Sequence, residues 1–134
     1  MGSPINNYSS ASLAYLGDCA LEIYVREYLV RELSISSSAK LNKAALEFVR
    51  APKQAEAMKK ILPILNEQEK EVFKRGRNLG HSNVPKASTV AEYRVATGME
   101  ALFGWLWLEG KQERLRELFY TAYELEHKKE DQIQ

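Results

Sequence analysis

Leu13-Ala14-Tyr15-Leu16-Gly17-Asp18-Cys19-Ala20-Leu21-Glu22-Ile23-Tyr24 sets an acid inside a run that is otherwise almost wholly apolar. Leu13, Leu16, Leu21, Tyr24 and, a turn further on, Tyr28 recur at helical spacing, and the rows beside them are apolar too. A helix apolar over most of its circumference is either central to a fold or shared with a partner. An ionised Asp18 among such neighbours must be paired, hydrogen-bonded or bound to a metal, because burying it alone costs many kcal/mol.

Outward from this stretch, Ser9 or Ser10 caps a helix that continues to about Leu33, and Ser34 to Ser38 is a polar linker. Ala39 to Val49 reads as a short amphipathic helix. Pro52, at a first-turn position, opens another that Pro63 ends. Asn66-Glu67-Gln68-Glu69 is a capping-box pattern that starts a helix to about Arg77, and Thr89-Val90-Ala91-Glu92 is a second one, starting a helix that Gly110 stops. Between them, Gly76 to Ser88 reads as a loop of functional length. A last helix from about Gln112 carries Leu115, Leu118, Phe119, Ala122 and Leu125 at helical spacing. No segment reads as a strand, so the expected fold is all-α, a single domain of about six or seven helices over 9–126. Residues 1–8 read as an N-terminal tail or expression scar, and 127–134 as a charged C-terminal tail.

A second acid is placed like the first. Glu100 lies within Val95-Ala96-Thr97-Gly98-Met99-Glu100-Ala101-Leu102-Phe103-Gly104, again nearly all apolar. Gly17, Gly98 and Gly104 would let two such helices approach closely enough for their acids to meet. Converging acids repel unless a cation sits between them. An arginine, Arg94 or Arg26, can be that cation; so can a hard divalent ion such as Mg²⁺, which takes one or two carboxylates and keeps several waters. Glu22, four residues after Asp18, shares its helical face. Cys19 is expected to be a small core residue. From Lys74 to Ala91 the chain carries Lys74, Arg75, Arg77 and Lys86, with Asn78 between them and no acid. Such a segment favours an anionic partner such as a phosphate backbone.

Composition bounds these readings. The 134 residues carry a net charge of +1, so a nucleic-acid role has to rest on a local patch. A single cysteine cannot form an intramolecular disulfide, and no apolar run reaches the ~20 residues a membrane helix needs. The expected location is the cytoplasm, away from membranes.

Tyr15-Leu16-Gly17-Asp18-Cys19-Ala20-Leu21-Glu22 resembles the signature helix of the ribonuclease III family, and Met99-Glu100-Ala101-Leu102-Phe103-Gly104 resembles its second acidic motif. Arg75-Gly76-Arg77-Asn78, Val84-Pro85-Lys86, Tyr93-Arg94 and Glu100-Ala101-Leu102 follow the order and spacing of the family's short Mini-ribonuclease III branch, which has no separate double-stranded-RNA-binding domain. The resemblance covers roughly Leu13 to Leu118. It implies a ribonuclease III-like domain and a Mg²⁺-dependent endoribonuclease (with Mn²⁺ able to substitute) that cuts double-stranded RNA to 5′-phosphate and 3′-hydroxyl ends. It further implies a homodimer that matures 23S ribosomal RNA precursor, with a ribosomal protein as a candidate accessory. Asp18 and Glu100 match the family's acids as catalytic metal ligands, and Glu22 is a candidate third ligand through water. Lys74, Arg75, Arg77, Asn78 and Lys86, with Arg94 as a further candidate, are the expected RNA contacts. Ala14 and Thr97 stand where longer members have acids. That departure keeps open a catalytically silent module that binds structured RNA or pre-ribosomes.

Overall fold

In the computed structural model, which describes residues 8–79 and 88–126, the chain forms six helices and a short 3-10 turn. They are α1 (Ser10–Arg31), α2 (Ser38–Val49), α3 (Ala51–Ile61), the 3-10 turn Leu62–Ile64, α4 (Glu67–Arg77), α5 (Val90–Leu108) and α6 (Gln112–Ala122). No strand occurs among the described residues. The expected fold class is therefore present, and the helix ends lie where the local chemistry puts them.

Ser9 caps α1 by accepting from the Ser12 N–H at 3.0 Å. Both capping boxes close: Asn66 Oδ1 accepts from the Glu69 N–H at 2.8 Å while Glu69 Oε1 accepts from the Asn66 N–H at 2.9 Å. Thr89 and Glu92 repeat the exchange at 3.0 and 2.9 Å. Each box satisfies two backbone donors that a helix start leaves without partners. Pro52 sits in the first turn of α3, and Gly110 ends α5 at φ +71°, a conformation that favours glycine.

α5 is the centre of the molecule, packed by α1, α3, α4 and α6. Every residue from Ala96 to Leu106 is buried except Glu100. α1 covers one side of α5 with Leu13, Leu21, Val25 and Leu29. α6 adds Leu115, Leu118 and Phe119, the last stacked on Phe48 of α2 with centroids 6.4 Å apart. The buried Glu69 is matched by Arg114 of α6, whose Nε and one terminal nitrogen each donate to it at 2.8 Å. Burial would raise the Glu69 pKa, but the Arg114 hydrogen bonds and the Asn66 N–H outweigh it and hold the carboxyl below its ordinary range.

Two expectations are corrected here. Gly76 belongs to α4 and is buried, because the missing side chain lets α4 rest on α5: a Cβ there would lie 2.7 Å from the Ala101 Cβ and 3.0 Å from the Gly98 Cα. The loop therefore begins after Arg77, and most of it, with His81 and Lys86, falls outside the described residues, as does the tail 127–134. Cys19 is exposed, not in the core. It lies on the side of α1 that faces away from α5, and no other part of the described chain covers that side.

Candidate active site

The site is built where α1 crosses α5. A Cβ on Gly17 would collide with the backbone carbonyl of Glu100 and come within 2.8 Å of the Gly104 amide. A Cβ on Gly104 would collide with the Leu13 carbonyl. The two helices thus meet backbone to backbone at Gly17 and Gly104, as expected of them, whereas Gly98 faces Phe73 of α4 and has no part in this crossing. Asp18 directly follows Gly17, so the crossing sets it beside Glu100.

Asp18 is exposed, which corrects the expectation that its own helix would bury it. α1 buries only the face bearing Leu13, Ala14, Gly17, Ala20, Leu21, Tyr24, Val25 and Leu29. The opposite side leaves Tyr15 86% and Ile23 53% exposed, both large apolar residues. Glu100 is the more enclosed acid. Burial, followed by the like charge of Asp18, raises its pKa to about 8, while the nearby Gln54 amide acts in the other direction.

No cation pairs with either acid among the described residues. Arg26 donates instead to Glu22 at 2.8 Å, and Arg94 is exposed without an ion pair to Asp18 or Glu100. Two carboxylates set side by side at a half-open position, the more enclosed of them raised by burial and by its neighbour's like charge, form a donor set that fits a hard divalent ion completing its shell with water. Nor does a group of three or more His, Cys, Asp or Glu suited to a metal occur among the described residues. Glu22 stays on the outer face of α1 with Asp18 and is engaged by Arg26, so a direct third ligand is not in place. Thr97 donates its hydroxyl to the Tyr93 carbonyl at 2.9 Å, and Ala14 is buried against the core. Neither position therefore adds a carboxylate to the pair.

The basic turn is also near. Lys74, Arg75 and Arg77 occupy the last turn of α4, where cations favour the negative end of the helix dipole as well as any anionic ligand. Gly76 rests against Gly98 and Ala101, so this turn stands at the level of Glu100 along α5, on a neighbouring face. The Arg77 Nε donates to Asn78 Oδ1 at 3.3 Å, and its guanidinium lies 5.7 Å from the Phe73 ring centroid.

One residue of the site escaped the sequence reading. Gln54 of α3 is 3% exposed and lines, with Arg50, Tyr93, Thr97 and Glu100, a cavity of about 370 Å³. Its signal was a lone amide on the inward stripe Gln54, Ala55, Ala57, Met58 and Ile61.

These features define the class of the protein. Residues 11–111 match the Ribonuclease III domain family, and the chain belongs to that family and is a ribonuclease of it. Within the family its relatives include Mini-ribonucleases 3. It is 42% identical over 111 residues to that of Symbiobacterium thermophilum, covering 83% of this chain and 85% of the relative. The Clostridium tetani relative is 40% identical over 113 residues, which cover 84% of this chain and 75% of that protein. The crystal structure of protein FN1578 from Fusobacterium nucleatum superposes with a TM-score of 0.79 at 33% identity, covering 88% of this chain and 93% of that one.

Proposed function

We propose that this ribonuclease is a Mg²⁺-dependent endonuclease that cuts double-stranded RNA, with Asp18 and Glu100 as its catalytic metal ligands and Mn²⁺ able to substitute. The observation that carries the reading is the convergence of these two carboxylates at the glycine crossing of α1 and α5 without a protein cation between them. Asp18 and Glu100 would hold the ion. When bound, Mg²⁺ supplies Lewis acidity and an activated water for attack at phosphorus, which leaves 5′-phosphate and 3′-hydroxyl ends.

The chain's own groups do the rest. Lys74, Arg75 and Arg77 at the end of α4 supply positive charge for the phosphates of the duplex, and Asn78 offers an amide to ribose hydroxyls. The half-enclosed setting of Glu100 limits competing water around one carboxylate, while the exposed Asp18 stays open to a large substrate.

We further infer that a second copy of the chain covers the outer face of α1. Tyr15, Leu16, Cys19 and Ile23 form an apolar groove there, with Asp18, Glu22 and Arg26 along it. A two-fold pair would give one site per strand and would enclose Asp18. Ribosomal RNA precursor is the proposed substrate, in the cytoplasm, with a ribosomal protein as a candidate presenter. Among the described residues no helix is long and apolar enough to cross a membrane.

A second reading, a silent module that binds structured RNA, is favoured by the two-acid donor set alone. Incubating the protein with double-stranded RNA, with and without Mg²⁺, separates the two. Metal-dependent cleavage is expected in the wild type. Glu100→Gln should lower it by on the order of a thousandfold, as loss of several kcal/mol of metal-assisted stabilisation requires. RNA binding in Ca²⁺ should persist. Cleavage at an undiminished rate by Glu100→Gln would remove the assignment, and no cleavage by the wild type at any Mg²⁺ concentration would favour the silent module.

A further inference from the structure

The amide of Gln54 is an expensive thing to bury. Only 3% of the residue is exposed, and its Nε2 has no partner that meets hydrogen-bond geometry. Leaving a buried donor unsatisfied costs about 1–3 kcal/mol, and an apolar side chain of the same shape would avoid that cost. The neighbouring positions of the same stripe, Ala55, Ala57, Met58 and Ile61, are apolar. Packing therefore does not call for an amide at this position.

What Gln54 faces gives the amide a use. It lines the cavity that also borders Glu100, and its amide is among the influences on that carboxyl, lowering its pKa against the effect of burial. Two of the other polar groups lining it are engaged elsewhere: Thr97 bonds the Tyr93 carbonyl, and Arg50 pairs with Glu47 at 3.3 Å. Residue type matters as well. A lysine or arginine here would neutralise Glu100 and compete with a divalent ion, and a third acid would add repulsion to a pair that already repels. A neutral amide can donate to a carboxylate without changing the charge of the site.

We propose that Gln54 is a positioning residue, its buried Nε2 donating to the Glu100 carboxylate and fixing the orientation from which Glu100 binds a divalent cation. The inference rests on the metal-dependent reading given under Proposed function. Outer-shell partners of ligating carboxylates typically change metal affinity 10- to 100-fold when removed.

The test is Mn²⁺ binding to the intact chain, followed by electron paramagnetic resonance, in Gln54→Met, Gln54→His and Glu100→Gln. Methionine keeps the volume and removes the donor; histidine keeps a donor of similar reach. Gln54→Met should weaken Mn²⁺ binding by about tenfold or more, with an unchanged or raised Tm of the metal-free chain. Gln54→His should recover most of the affinity. The Mg²⁺ concentration for half-maximal cleavage should rise in Gln54→Met, with kcat at saturating Mg²⁺ less affected. Unchanged Mn²⁺ affinity in Gln54→Met, with or without a lowered Tm, would overturn the proposal and leave Gln54 a structural residue. Equal weakening by methionine and histidine would overturn it too, because volume and not the donor would then matter. Glu100→Gln separates the two levels: if it leaves Mn²⁺ binding intact, the metal-site reading itself fails; if it abolishes binding while Gln54→Met does not weaken it, only the role of Gln54 fails.

Discussion

The Glu100 carboxyl, held at about 8 by burial and by Asp18, makes the stability of the metal-free chain depend on pH. Below its ordinary value of 4.5 the group is protonated whether folded or unfolded. Between there and about 8 the folded state keeps a proton that the unfolded state has released, so stability falls as pH rises through this window. Above it the loss is complete. Glu100→Gln removes this titration. Its Tm should match the wild type near pH 4.5 and exceed it by several degrees near pH 8, and saturating Mg²⁺ should close the gap by stabilising only the wild type. Parallel Tm profiles would contradict the electrostatic account of Glu100. Both acids stood out in the sequence because each interrupts an apolar run. Gln54 did not, because an amide in a helix of mixed composition is unremarkable until its burial is known. Asp18 was recognised but misplaced: a one-dimensional pattern shows that a helix is apolar all round without showing which side its own chain covers.

At the scale of elements, the site depends on how closely helices approach. Gly104→Ala would push the α1 and α5 backbones apart, and overpacking of this kind costs roughly 1–3 kcal/mol or more. Gly110→Ala meets nothing within 4 Å, so its cost is only that of a positive φ, about 1 kcal/mol. Urea denaturation should therefore rank Gly104→Ala as the more destabilising, and it should also reduce cleavage because Asp18 and Glu100 separate; Gly110→Ala should cleave normally. The reverse ranking would show that the crossing relaxes easily. Caps, prolines and terminal glycines made these helices legible, since each acts through backbone groups a few residues away. Gly76 was misread for the same reason: beside a polar segment a glycine signals a turn, and only the packing of α4 on α5 shows it to be a contact residue.

For the whole molecule, the uncovered side of α1 and the basic end of α4 carry the remaining predictions. Ile23→Asp puts a charge into the apolar groove beside Asp18 and should shift sedimentation from dimer to monomer mass, with cleavage falling in parallel; an unchanged mass would exclude this face as the contact. Replacing Arg75 and Arg77 by alanine should weaken duplex binding and reduce its slope against log salt by about one for each phosphate that the variant no longer neutralises. An unaltered slope would assign these arginines to the helix end alone. The amino-acid sequence by itself determined the all-α class, the helix starts and stops, the two acids and the family, because those follow from local hydrogen bonding, hydrophobic period and residue type. Only the tertiary structure decided that Asp18 is open to solvent, that Gly76 is a packing residue, and that Gln54 faces Glu100. Those facts depend on which helix lies against which, and side-chain surroundings are set by contacts between residues distant in the chain.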